Sequence, residues 1–269
     1  MSDDRTFRID THAHIVTPGF DMIPERRHTP EPALLETFLR FHDETGITHG
    51  VLIQPSVYGT DNSCMCEAIE QSNGRLHGIA VVDPSFSDAQ LDELESRKIF
   101  GVRFSLFDMK ADVLAEPTWK KLIERLAARD WIIEGLLKSP DTVPFLEAVA
   151  PTGARLVIDH FGVPDMELGV NDPHFKAVLT YAEKGNVWAK LSGPYRSGGG
   201  EAAMPLARAF IDNLGPERLL WGSDWPWTRF QGAGFTYKMT LDWLSLWEPD
   251  EKVRAQILGP TAASFYGFV

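Results

Sequence analysis

The chain has 269 residues, 43% of them hydrophobic, with 26 basic against 38 acidic side chains and a formal charge of −12. That size and apolar content suit one large domain or two small ones around a sizeable core, and α/β barrels of this length are commonly single domains. The acidity argues against nucleic acid and anionic membranes as partners, and it makes any cluster of arginines more telling, because the average surface repels anions.

The only cysteines, Cys64 and Cys66, form a Cys-Met-Cys run. This is no disulfide framework and a poor zinc pattern, so both read as reduced thiols of a cytoplasmic protein. The start, residues 1–5, has no basic stretch leading into an apolar one, and no apolar run is long enough to cross a bilayer.

The first strand is expected over Phe7 to His14. His12 and His14 lie two apart, so on a strand both imidazoles leave the same face. Such a pair can hold a divalent metal or donate hydrogen bonds to one substrate oxygen, and a solvated pair at a strand end is the plain alternative. The connection Val16 to Glu31 is long and holds Pro18, Pro24 and Pro30. Loops of that length after a barrel strand often reach over an active site. Pro32 to Phe41 then carries Leu34, Leu35, Phe38 and Leu39 at helical spacing.

Further strands are expected at Gly50–Gln54, Gly78–Val82, Gly101–Phe104, Trp131–Leu137, Arg155–Asp159, Val187–Leu191 and Leu219–Ser223. Ser63 reads as the cap of the helix after the second strand. Pro117–Ala128, with Trp119, Leu122, Ile123 and Leu126 on one stripe, Pro205–Leu214 and Thr240–Trp247 read as helices with core-facing stripes. Strands alternating with helices imply a parallel sheet, and eight of them a (β/α)8 TIM-like barrel, a single domain over residues 1–269. The rival, an open doubly wound sheet, lacks a Gly-x-Gly-x-x-Gly after the first strand.

In a barrel the C-terminal strand ends converge on one mouth. The first strand brings His12 and His14 there, the sixth ends in His160 and the eighth in Asp224. Taken alone, His160 reads equally as a core histidine and Asp224 as a turn residue. Taken together, three imidazoles and a carboxylate point at one place.

Asp10-Thr11-His12-Ala13-His14, Ile158-Asp159-His160-Phe161-Gly162 and Gly222-Ser223-Asp224-Trp225-Pro226, in that order, resemble the amidohydrolase superfamily. The resemblance runs over nearly the whole chain. It implies a (β/α)8 barrel, hydrolysis or a related reaction at a carbon centre, usually with metal, and Asp224 as the proton-transfer residue. Many members hold two metals with a lysine or glutamate on strand four and a histidine on strand five. Here strand four shows Gly101-Val102-Arg103-Phe104 and strand five has no histidine, which leaves one metal or none.

A narrower resemblance rests on Gln54 to Asn62 after strand two, on Arg97 and Arg103 flanking the start of strand four, and on Leu191 to Arg196 after strand seven. These stretches are similar to the 2-pyrone-4,6-dicarboxylate lactonase branch, which includes sugar-acid lactonases. The branch implies opening of a lactone, without a bound metal in its pyrone dicarboxylate enzyme. It also implies that Arg97, Arg103 and Arg196 grip the substrate carboxylates and that Ser56 lines the same pocket. Tyr58 and Tyr195, in the same stretches, join the candidate substrate contacts. So does His28, which stands where the pyrone lactonases have a tyrosine; that departure leaves the substrate an anionic lactone or related acid. Arginine forks suit the task, since they bind carboxylates in bidentate geometry and stay charged.

The expectation is therefore a hydrolase that opens the lactone of a small carboxylated substrate. Asp224 is the general base, and His12, His14 and His160 surround the carbonyl as hydrogen-bond donors, with no cofactor. The alternative places one zinc or manganese ion on His12, His14, His160 and Asp224. The rival activities are a metal-dependent decarboxylase or hydratase of an aromatic or unsaturated acid and a sugar-acid lactone isomerase; a barrel that only binds an anion is the non-enzyme rival. Homo-oligomerisation is left open.

Overall fold

The computed structural model describes residues 7–107, 109–183 and 185–268; the start inspected above for a leader lies outside them. Eight strands follow one another in a single parallel sheet: β1 (Ile9–Ala13), β2 (His49–Ile53), β3 (Leu76–Ala80), β4 (Ile99–Ser105), β5 (Ile132–Leu136), β6 (Leu156–Ile158), β7 (Val187–Leu191) and β8 (Leu219–Trp221). The ring closes where β8 returns to β1. There Ala13 pairs with Trp225, the His14 amide donates to the Trp225 carbonyl at 2.8 Å and the Asp224 amide to the His12 carbonyl at 2.8 Å. This is the expected (β/α)8 architecture.

The helices that cover the ring are α1 (Leu35–Thr45), α2 (Ser63–Gln71), α3 (Asp88–Ser96), α4 (Pro117–Ala128), α5 (Thr142–Val149), α6 (Pro173–Ala182), α7 (Met204–Leu214) and α8 (Tyr237–Trp247). Two short ones, α9 (Glu251–Gln256) and α10 (Ala262–Tyr266), end the chain. Among the described residues no helix is long and apolar enough to cross a membrane.

Boundaries differ from the sequence reading where side chains take over the backbone's hydrogen bonds. The third strand lies two residues earlier than expected, because Asn62 accepts from the Val81 amide and donates to the Val81 carbonyl, both at 3.0 Å. α8 begins at Tyr237 because the Thr236 hydroxyl accepts the Met239 amide. α1 runs past Phe41 to Gly46, whose φ of 72° ends it. Ser63 is not a cap: it is the first residue of α2, and its amide donates to the Asp61 carboxylate at 3.0 Å.

Two apolar layers sandwich the ring. Outside, helices and strands share one continuous core. Inside, Ile9, Val51, Ile53, Ile79, Ile132, Val157 and Leu220 fill the floor, and α10 closes it with Ala262, Phe265 and Tyr266. Polar side chains occupy the barrel interior above that floor.

Candidate active site

β1 carries a register shift between Asp10 and Ala13. Asp10 faces outward to Tyr237, while His12 faces into the barrel and His14 stands just past the strand at the mouth. The two imidazoles do share a target, since His12 Nε2 and His14 Nε2 lie 3.6 and 3.5 Å from Asp224 Oδ1. His160 Nε2 approaches the other oxygen of Asp224 at 3.8 Å. The structure thus brings all four residues together, with His12 and Asp224 fully buried and His160 nearly so.

The backbone at these strand ends is bent to aim them. Asp224 has a φ of 54°, His160 50° and Phe161 59°, all left-handed values that cost non-glycine residues about 1–3 kcal/mol each. Gly193 explains why one neighbour has no side chain: at φ 55° a Cβ there would lie 2.8 Å from His160 Nδ1 and 2.9 Å from Asp224 Oδ2.

Asp224 Oδ2 is heavily engaged. Tyr195 donates its hydroxyl to it, and the Arg196 guanidinium lies 3.2 Å away. Oδ1 takes no hydrogen bond from a described residue. Burial alone would raise the Asp224 pKa, but the polar groups around it, the Arg196 guanidinium among them, outweigh it and hold the group well below the usual carboxylate range. Burial pushes His160 down to about 4 and His12 well below its usual value, so both rings are neutral at pH 7. Burial and the Asp224 charge keep Tyr195 a protonated donor.

The histidines differ in which nitrogen is free. His14 Nδ1 lies 2.7 Å from the Ile53 carbonyl, which can only accept, so Nδ1 carries a proton and Nε2 is the nitrogen turned toward Asp224. His160 Nδ1 meets the Ser192 hydroxyl at 2.9 Å. His12 Nδ1 meets the Lys190 ammonium at 3.2 Å.

Above this group opens a pocket of about 670 Å³, part of it open to solvent. Four arginines line it: Arg27, Arg103, Arg196 and Arg229. His14, His28, Ser56 and Leu136 are also in its wall, so the long first connection does reach the mouth, through Arg27 and His28. Arg103 is buried, donates to the Gln54 carbonyl at 2.7 Å and lies 4.0 Å from Asp159.

Two expected substrate contacts, Arg97 and Tyr58, lie elsewhere. Arg97 follows α3, before β4 begins, and lies in a separate groove with Cys66 and Glu93 against α2. The start of a strand faces away from the mouth, so its six-residue spacing from Arg103 misleads. The Tyr58 hydroxyl points to the Thr17 carbonyl at 3.4 Å and its ring packs edge-on to Phe20, outside the pocket wall.

Three charged residues escaped the sequence reading: Glu134 on β5, Asp159 after β6 and Lys190 on β7, each fully buried. Lys190 Nζ lies 2.7 Å from Glu134 Oε2 and 3.4 Å from Asp159 Oδ1, and Tyr266 donates to the other Glu134 oxygen at 2.8 Å. Burial pushes the Glu134 carboxyl up to about 7, against the pull of Lys190. Their signal was present, since a charge inside a short apolar parallel strand such as Ile132-Ile133-Glu134-Gly135-Leu136 cannot face water.

His12, His160 and Asp224 offer ligand atoms within 4.8 Å of one another, residue types that divalent ions take. The model of the amidohydrolase family matches residues 9–268. A 4-sulfomuconolactone hydrolase of Rhizobium radiobacter is 33% identical over 97% of this chain and 90% of its own length. A 2-pyrone-4,6-dicarboxylate hydrolase of Comamonas testosteroni is 31% identical over 81% of this chain and 76% of its own. A crystal structure from Acinetobacter baumannii, titled a probable 2-pyrone-4,6-dicarboxylic acid hydrolase with citric acid bound, superposes with a TM-score of 0.92 at 32% identity, covering 97% of this chain and 99% of that one.

Proposed function

The chain belongs to the amidohydrolase family, and on that premise we propose that it is a lactonase that opens the ring of a small carboxylated substrate. The observation that carries the reading is Asp224, an ionised carboxylate with Oδ1 uncommitted, lying beneath a pocket lined by four arginines. The named relatives act on a pyrone dicarboxylate and a sulfonated muconolactone, both anionic lactones, and the superposed structure holds citric acid.

In the proposed reaction, Asp224 Oδ1 accepts a hydrogen bond from one water beside His14 Nε2, which lies 3.5 Å from that oxygen. The water oxygen attacks the lactone carbonyl while Asp224 takes its proton. His12 and His160 donate to the carbonyl oxygen as it becomes an oxyanion. Collapse of the tetrahedral adduct breaks the ring C–O bond, and the proton on Asp224 passes to the leaving ring oxygen. The product is an open-chain acid.

Substrate charge has a second role in this scheme. Arg196 is neutralised by Asp224 in the free enzyme. A substrate carboxylate that takes over the guanidinium would release Oδ2, and the Asp224 carboxylate would become a better base. Anionic substrates would thus gain in turnover as well as in binding.

A divalent ion, if bound, would be held by His12, His160 and Asp224 with His14 beside them, and would supply Lewis-acid polarisation of the carbonyl. The metal-independent reading is supported by Asp224 already being neutralised by Arg196 and by Lys190 standing against His12 Nδ1. The test is a panel of anionic and neutral lactones, turned over with and without chelator, alongside metal analysis of the purified protein. Unchanged activity at well under one metal per chain is expected. Loss on chelation, restored by zinc or manganese, would replace the mechanism, and turnover of decarboxylase or isomerase substrates alone would replace the activity.

A further inference from the structure

Below Asp224 lies a layer of charge that the proposed reaction does not use directly. Its members come from odd-numbered strands, as interior layers of such barrels do: His12 from β1, Glu134 from β5 and Lys190 from β7, with Asp159 from the end of β6 beside them. The Lys190 ammonium has three hydrogens. Around it stand three acceptors, Glu134 Oε2 at 2.7 Å, His12 Nδ1 at 3.2 Å and Asp159 Oδ1 at 3.4 Å.

We propose that Lys190 is a positioning residue that fixes His12 as the tautomer protonated on Nε2, making it a hydrogen-bond donor to the substrate and removing it from the metal-ligand set. A lysine ammonium can only donate. Facing it at 3.2 Å, His12 Nδ1 must present a lone pair, and the single proton of the neutral ring then resides on Nε2. That nitrogen has no hydrogen-bond partner among the described residues and faces Asp224 Oδ1 at 3.6 Å, where the reacting group would bind.

The opposite tautomer would direct Nδ1–H to Asp159 Oδ1, 3.4 Å away. Among the described residues neither Asp159 oxygen takes a hydrogen bond, and the N–H would lie against the Lys190 ammonium. At His14 it is Nδ1 that donates, its N–H held by a backbone carbonyl. What stands behind the two neighbouring histidines is thus opposite, an ammonium at His12 and a carbonyl at His14. Lys190 stands where an ion shared by His12, Glu134 and Asp159 would sit, so the site carries its own cation.

The proposal refines the lactonase reading, and its primary test needs no substrate. The full chain, labelled with 15N-histidine, is examined near pH 7 by long-range proton–nitrogen correlation of the rings. The His12 signals are assigned by their loss in His12→Gln. A neutral His12 protonated on Nε2 is expected, and protonation on Nδ1 overturns the proposal whether or not any lactone is hydrolysed. The second readout is zinc titration of Lys190→Met/Glu134→Gln, which removes both charges of the pair so that neither is left alone in the core. With the lone pair on Nε2 freed and a neighbouring cation removed, zinc affinity is expected to rise on the order of tenfold or more. Equal zinc affinity in a folded double variant and the parent chain would also overturn it. Should the double variant fail to fold, the tautomer of the parent chain decides alone. Absence of lactone turnover combined with Nε2 protonation would sink the activity and leave this assignment standing.

Discussion

The seam between β1 and β8 holds two buried carboxylates on opposite sides of the barrel wall, and they are treated differently. Asp10, on the outer side, accepts from the Ser223 amide at 2.9 Å, the Ser223 hydroxyl at 2.6 Å, the Tyr237 hydroxyl at 2.7 Å and the His12 amide at 3.1 Å. Asp224, on the inner side, leaves Oδ1 without a hydrogen bond among the described residues. Burial pushes Asp10 up to about 6, because its partners are neutral dipoles and its nearest imidazole, His42, is itself held down to about 3 by burial. Asp224 stands beside a guanidinium and stays well below the ordinary value. Among the described residues, the carboxylate that ties the strands together is saturated, whereas the one beneath the pocket keeps an oxygen free.

Substituting the inner carboxylate should have the largest effect. Asp224→Asn keeps shape and tolerates the left-handed backbone but cannot take a proton. Its kcat should fall by about two to four orders of magnitude, with KM changed only a few-fold. Retention of more than about a tenth of parental kcat would remove Asp224 from the base role.

The arginines come next. Arg103→Met or Arg196→Met keeps much of the stem and deletes the charge, which should cost about 2–5 kcal/mol in kcat/KM on a carboxylated lactone. On a neutral ester of the same ring the loss should be small. If the scheme for Arg196 holds, its variant also narrows the kcat gap between acid and ester. Equal losses on both compounds would mean that these residues hold the mouth together rather than read charge.

The outer carboxylate should register as stability. Asp10→Asn turns an acceptor-only group into one that presents N–H to a ring of donors. An unsatisfied group of that kind costs about 1–3 kcal/mol, readable in the denaturation midpoint. Turnover should fall far less than in Asp224→Asn. A variant of normal stability that loses kcat as severely would erase the distinction between the two carboxylates.

How far the sequence foretold this depends on what each residue's neighbours in the chain reveal. The eight strands and the site formed by His12, His14, His160 and Asp224 were legible, because strand ends fix where such residues point. Glu134 and Lys190 were visible as charges in apolar strands, but their pairing across the interior depends on ring closure, which no local pattern encodes. The division of labour between His12 and His14 was also hidden, since it rests on an ammonium and a carbonyl brought up from β7 and β2. Tyr195 was chosen as a substrate contact; the fold gives it Asp224 as partner.

Arg97 is the instructive miss, and it yields the smallest predicted effect. A motif-based reading places it beside Arg103 in the substrate grip. The fold places it after α3, exposed, in a groove with Cys66 and Glu93. A charge on a solvated helix end changes stability by roughly 0.5 kcal/mol or less. Because Arg97 lies in a groove apart from the pocket, Arg97→Met should leave kcat/KM on a carboxylated lactone within about twofold, since a factor of ten needs about 1.4 kcal/mol. The informative design measures it beside Arg103→Met on the same substrate and at the same ionic strength, so that the loss of one positive charge from an acidic protein is common to both. A large drop for Arg103→Met alone would show that position, not net charge, governs recognition. A comparable drop for both would mean that Arg97 swings into the pocket when substrate binds, and the groove beside α2 would then be only its resting place.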